Sequence, residues 1–178
     1  MKAKKIVVPA LLAAVVCVLA PWSLPVGPIP VSLASFAVYL AAAVGGRRDG
    51  TIAVGIYILL GAVGLPVFAG FAGGAGVLAG VTGGYIVGYL PCAFLTGLLI
   101  DRFEDKRWVW PAAMLLGTAA LYALGTAWFI IETHSTLAYA ASVCMLPFLL
   151  GDALKIAAAS LLGQPIRRRV RGAANAGR

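Results

Sequence analysis

The sequence predicts an all-α integral membrane protein, a single domain over residues 1–178 with six transmembrane helices in one compact bundle and both termini cytoplasmic. Three observations carry that expectation. Of the 178 residues, 62% are hydrophobic and 11% charged, with a mean hydropathy of +0.98, far from the profile of a soluble globular domain. The apolar runs are unbroken, as in residues 6–20, where a membrane β-barrel would alternate apolar and polar positions. A bilayer core takes about 20 apolar residues per helix, so the chain has room for roughly six spans.

The first span is read at residues 6–20, behind the start Met-Lys-Ala-Lys-Lys. It looks like a signal peptide, but Pro21 after Ala20 makes a poor cleavage junction, and Val16 before Cys17 lacks the small residue that a lipoprotein site wants. The segment is therefore expected to stay. WSLPVGPIP (22–30) leads into a second span at 32–46, GRRDG (46–50) into a third at 51–66, and the glycine-rich PVFAGFAGGAGVLAGVTGG (66–84) into a fourth at 84–100. DRFEDKRW (101–108) precedes a fifth at 108–131, and ETHST (132–136) a sixth at 139–163, followed by a basic tail at 164–178. The first three runs are short for complete spans.

Charge supports this count. With the N-terminus inside, the inner segments are the N-terminal arm, 46–50, 101–108 and the tail, and of the 14 Lys and Arg residues every one but Lys155 falls in them. That is the positive-inside pattern. Trp22, Trp108 and Trp110 fall where interfacial aromatic belts are expected. The net charge of +8 is absorbed by topology and anionic membrane lipid; RRRVR in the tail reads as an interfacial anchor, and no nucleic-acid partner is expected. Cys17, Cys92 and Cys144 lack the spacing of a disulfide framework or metal site.

Lys155 remains, with Asp152 one helical turn before it. Each charge would cost about 2.5–3.5 kcal/mol near the centre of a span, and at i, i+3 the two share a helical face. They form either an internal ion pair, completed by Tyr122 or Thr118, or the polar floor of a ligand cavity. A proton path would string further titratable groups through the spans, and none is found there.

The connection at 66–84 is the second unusual feature. So many glycines lose backbone entropy on ordering, which suits close backbone approach, tight packing or a lid over a ligand. Phe68 and Phe71 add aromatic surface to it. Thr82-Gly83-Gly84-Tyr85 opens the fourth span, whose N-terminus can offer backbone N–H groups to an anionic ligand end.

PIPVSLASFAVYLAA (28–42), GLPVFAGFAGGAGVLAGVTGGYIVGY (64–89) and GDALKIAAA (151–159) resemble, in that order, the BioY family, the biotin-specific substrate-binding (S) components of energy-coupling factor (ECF) transporters. Ala34, Val81 and Leu150 depart from residues common in that family. The resemblance implies high-affinity biotin capture, with uptake driven by a transmembrane coupling protein and two cytoplasmic ATPases, in the plasma membrane of a prokaryote. It implies that Asp152 accepts from a ureido N–H while Lys155 donates to the ureido carbonyl. Phe36, Phe68 and Phe71 are then candidates for burying the rings, and Thr82, Gly83, Gly84, Tyr85 and the loop amides of Gly73 and Gly74 for the carboxylate end. Ala10 and Ala14 form a small-x-x-x-small pair that the resemblance makes a candidate docking stripe.

No cofactor is expected, and the chain has no nucleotide-binding motif with which to hydrolyse ATP. Intramembrane proteolysis would need paired aspartates, a Ser with a His, or a zinc site; the one histidine, His134, falls in an outer loop. An S component for another small vitamin and an autonomous secondary carrier are the alternatives, although paired broken-helix repeats are not found.

Overall fold

A computed structural model describes residues 2–25 and 28–175; Arg178 of the basic tail lies outside the described residues. The chain is mostly helical, and three helices, Gly83–Arg102, Val109–Thr133 and Leu146–Val170, are long and apolar enough to cross a membrane.

Helix α1 (Lys2–Leu19) turns its Leu12, Ala13 and Val16 into the core, while Ile6, Val7, Leu11 and Val18 stay exposed. Its end leads into a short antiparallel ribbon, β1 (Ser23–Leu24) with β2 (Val31–Ser32), paired Ser23 to Ser32 and Leu24 to Val31. Helix α2 (Ala34–Ala62) is two antiparallel arms joined at Gly46, whose φ of 69° and ψ of −165° break the helix. The arms pass so closely that a Cβ on Gly45 would stand 2.6 Å from the Gly50 nitrogen, and one on Gly50 would stand 2.7 Å from the Ala42 Cα. GRRDG thus turns the chain because glycine alone fits both the positive φ and the contact. Asp101 caps the second arm from another helix, accepting from the Arg47 N–H at 2.8 Å.

The glycine-rich connection holds a 3-10 turn at Ala69–Phe71 and the short α3 (Ala75–Ala79). Helices α4 (Gly83–Arg102) and α5 (Val109–Thr133) form the most extensive pair. Small residues let them approach: a Cβ on Gly117 would overlap Thr96, and one on Gly125 would meet the Tyr85 ring. His134 ends α5 in the left-handed conformation, φ 51°.

The stretch read as one span at 139–163 lies in two helices, α6 (Leu137–Cys144) and α7 (Leu146–Asn175). Pro147 is the physical reason: it has no N–H to continue α6 and fits the first turn of a new helix. Thr136 caps α6 by accepting from the Tyr139 N–H.

Two expectations are corrected at the charged end of the bundle. Arg167, read as part of an interfacial anchor, has no solvent exposure. It donates to the Ala43 carbonyl at 2.8 Å, to Asp101, and to Glu104 at 3.1 Å. Its Nε lies 3.1 Å from the other Glu104 oxygen without hydrogen-bond alignment, a purely electrostatic contact. Trp110, expected in a membrane belt, is buried beneath this guanidinium, 6.0 Å from ring centroid to Cζ, and donates to the Glu104 carbonyl. Both follow from the register of α7: position 167 falls on the face turned to α2, so its charge is buried and collects acidic partners. Trp22 and Trp108 are exposed.

Candidate functional site

At the opposite end of α7 the Asp152 carboxylate is buried, and three side chains reach it. Tyr122 of α5 donates to Oδ2 at 2.6 Å; Ser35 of α2 and Lys155 donate to Oδ1 at 3.1 and 3.2 Å. Lys155 also donates to the Ser32 carbonyl of β2 at 2.7 Å and to Ser35 Oγ at 3.0 Å. Thr118, the other partner considered for the ion pair, is engaged elsewhere, paired with the Tyr39 hydroxyl at 2.6 Å and donating to the Met114 carbonyl at 2.8 Å.

The bonding capacity of the two charges differs. A carboxylate offers about four lone-pair sites, and three are occupied here, leaving one acceptor position. An ammonium has three donors, and all three are engaged. A ligand carbonyl can therefore be met by Lys155 only in exchange for one of its present partners, whereas a ligand N–H can be added at Asp152.

The pair floors a cleft of two lobes that share Ile29, Pro30, Ser32, Tyr85 and Tyr89. The polar lobe, about 40 Å³, holds Asp152, Lys155, Ser35 and Tyr122. The larger, about 160 Å³, is mainly apolar and is walled by Tyr57, Ile86 and Thr82. Phe68, Ala72 and Val77 of the glycine-rich segment roof it. Both volumes are below the roughly 300–1,000 Å³ of ligand clefts, so the roof sits close over the floor.

Thr82, Tyr85 and Phe68 line the larger lobe. Phe68 is buried, edge-on to Tyr57 with ring centroids 5.5 Å apart, and its ring occupies the space that a side chain on Gly61 would need. The Tyr85 hydroxyl faces Thr126 at 3.1 Å and the Cys144 carbonyl at 3.4 Å. Phe71 lies outside the cleft, 58% exposed and edge-on to Trp22 at 5.8 Å. Phe36 is half-buried against the core. Gly73 packs on the Leu65 carbonyl, Gly83 on that of Leu78 and Gly84 on Trp128, each leaving no room for a Cβ. Gly74 has a φ of 101° and donates to the Gly61 carbonyl at 2.7 Å, tying the segment to the end of α2. On α1, Ala10 and Ala14 are exposed.

Ser32, Ser35, Tyr57 and Tyr89 were not singled out by the sequence reading. Tyr85 and Tyr89 stand at i, i+4 on one face, a signal that was available. Ser32 and Ser35 gave none, because their importance rests on a contact with α7 more than a hundred positions away.

The family profile described as the BioY family matches residues 1–172. The chain belongs to the BioY family. It is 42% identical to the biotin transporter BioY of Thermotoga maritima, over 82% of this chain and 85% of that one. It is 36% identical to the biotin transporter BioY of Rhodobacter capsulatus, over 81% and 82%. A solved structure, the crystal structure at 2.1 Å of the S-component for biotin from an ECF-type ABC transporter, superposes with a TM-score of 0.86 at 26% identity, covering 94% of this chain and 92% of that one. The three segments behind the expected resemblance thus belong to a BioY-family chain along nearly its whole length.

Proposed function

We propose that this BioY-family protein is the biotin-capturing S component of an ECF-type importer. The observation that carries the reading is the buried Asp152–Lys155 pair at the end of an aromatic cleft, with one acceptor position left on the carboxylate. A ureido group presents an N–H and a carbonyl a short distance apart on one ring. The N–H takes the open position on Asp152, and the carbonyl takes the Lys155 donor now given to Ser32. Tyr122 and Ser35 hold the carboxylate in place. The apolar rings fill the larger lobe between Tyr57, Phe68 and Tyr89, and the carboxylate tail reaches the Thr82 hydroxyl and amides of the glycine-rich segment. Such a ligand needs more room than the cleft has, so residues 66–82 lift on entry, parting Phe71 from Trp22 and the Gly70 N–H from the Pro21 carbonyl.

In this reading the chain crosses the plasma membrane of a prokaryote six times, through α1, the two arms of α2, α4, α5 and α7, with both termini cytoplasmic; α6 dips from the outer side. Capture needs no cofactor. A coupling protein and two ATPases supply the energy, and the exposed Ala10 and Ala14 are a stripe on which the coupling protein can pack closely.

The test is calorimetric titration of the purified protein with biotin, with thiamine and riboflavin as controls and Asp152→Ala alongside. Stoichiometric binding of biotin alone, weakened in the variant, supports the reading. A folded protein that takes no biotin removes it.

A further inference from the structure

Between the start of α5 and the middle of α7 runs a crevice of about 430 Å³, within the range of small-molecule clefts. Its walls are Pro111, Ala157, Leu161 and the carbon atoms of Ser160, whose hydroxyl is turned away to the Met114 sulfur at 3.5 Å. Leu161 is 77% exposed. Arg107 and Gln164 make one end polar, and both also line an adjoining recess of about 110 Å³ completed by Glu104, Asp105, Trp110 and Arg168.

The charges of that recess select the occupant. Glu104 is engaged by Arg167. The Arg107 and Arg168 side chains are exposed, and their guanidinium groups have no hydrogen-bond or ion-pair partner among the described residues. Asp105 is the remaining carboxylate of the lining, and Asp101 shares the Arg167 charge with Glu104, so formal charges balance overall; what the recess presents to a ligand is two guanidinium groups that no carboxylate engages. Guanidinium groups bind phosphate oxygens in paired hydrogen bonds, and basic pockets between helices at a membrane surface collect anionic head groups. A free anion would leave the apolar crevice unfilled, whereas a lipid fills both halves.

We propose that this crevice binds a phospholipid of net charge −1, its phosphodiester between Arg107 and Arg168 and one acyl chain along Pro111, Ala157 and Leu161. The site is independent of the biotin cleft, since the two share no residue.

The full-length protein is purified in detergent, stripped of lipid, and offered phosphatidylglycerol or phosphatidylcholine of the same chains, with bound lipid read by native mass spectrometry. Phosphatidylglycerol is expected to bind at least ~10-fold more tightly, the preference falling below ~3-fold in R107Q/R168Q and returning in R107K/R168K. Ala157→Trp fills the apolar half and should reduce binding of both lipids, and inorganic phosphate should displace neither. Equal binding of the two lipids by the parent protein overturns the proposal even if a variant fails to fold. So does a preference that survives R107Q/R168Q, or displacement by inorganic phosphate, which would mark a site for free anions.

Discussion

Helix α7 carries two buried charged clusters, centred on Asp152 and Arg167, and they are built differently. Lys155 and Arg167 stand about 18 Å apart along the helix at 1.5 Å per residue. Arg167 is closed in on every side, by the Ala43 carbonyl, two carboxylates and the Trp110 ring. Asp152 faces a cleft and is held mainly by hydroxyl groups, Tyr122 and Ser35, with one acceptor position open. Burial alone does not separate a charge that fastens helices from one that reads a ligand. What differs here is access: the open position of Asp152 borders a cleft, whereas the unbonded Nε of Arg167 has no solvent exposure.

The largest effect should come from the closed cluster. Arg167→Ala leaves Asp101 and Glu104 without their shared cation; removing one partner of a buried pair costs about 3–5 kcal/mol. Both carboxylates are about a third exposed, which places the expectation at the low end, about 3 kcal/mol. Thermal unfolding in detergent measures it, and biotin affinity of the folded fraction should be unchanged. An Arg167→Ala protein as stable as the parent but weak in biotin binding would break the comparison by making the inner cluster part of the site.

Asp152→Ala or Lys155→Ala should do the reverse, weakening biotin binding at least about tenfold, or 1.4 kcal/mol, while the protein stays folded. Unchanged affinity in both variants would return the pair to a structural role. Next come the groups that hold the carboxylate. Tyr122→Phe and Ser35→Ala each remove one hydrogen bond, for which about 0.5–1.5 kcal/mol is expected, seen by titration as a smaller loss than that of Asp152→Ala. The smallest effect sharpens the contrast with Arg167. Arg168→Gln and Arg169→Gln change exposed side chains, and a stability change within about 0.5 kcal/mol would show that three adjacent arginines are of two kinds.

Much of this was legible in sequence because its signal is local. Long apolar runs announce helices, and glycines bracketing Arg47, Arg48 and Asp49 announce a turn. A spacing of three residues puts Asp152 and Lys155 on one face whatever surrounds them. The break before α7 is equally local, written in Pro147, but apolar composition alone does not register a missing N–H.

The sequence by itself determined the apolar helical character, the pairing of the two site charges and the family resemblance. Only the tertiary structure decided what those charges touch. Ser35 and Tyr122 reach Asp152 from 117 and 30 positions away, and nothing in their neighbours in sequence announces it. Phe68 and Phe71 stand three residues apart in one glycine-rich segment, yet the path of that segment sends the first into the cleft and the second against Trp22. Arg167 is distinguished from Arg168 and Arg169 by about 100° of helical rotation per residue, which aims one guanidinium at the core and leaves the others exposed. Periodicity fixes which residues share a face; the packing of whole helices fixes what that face meets.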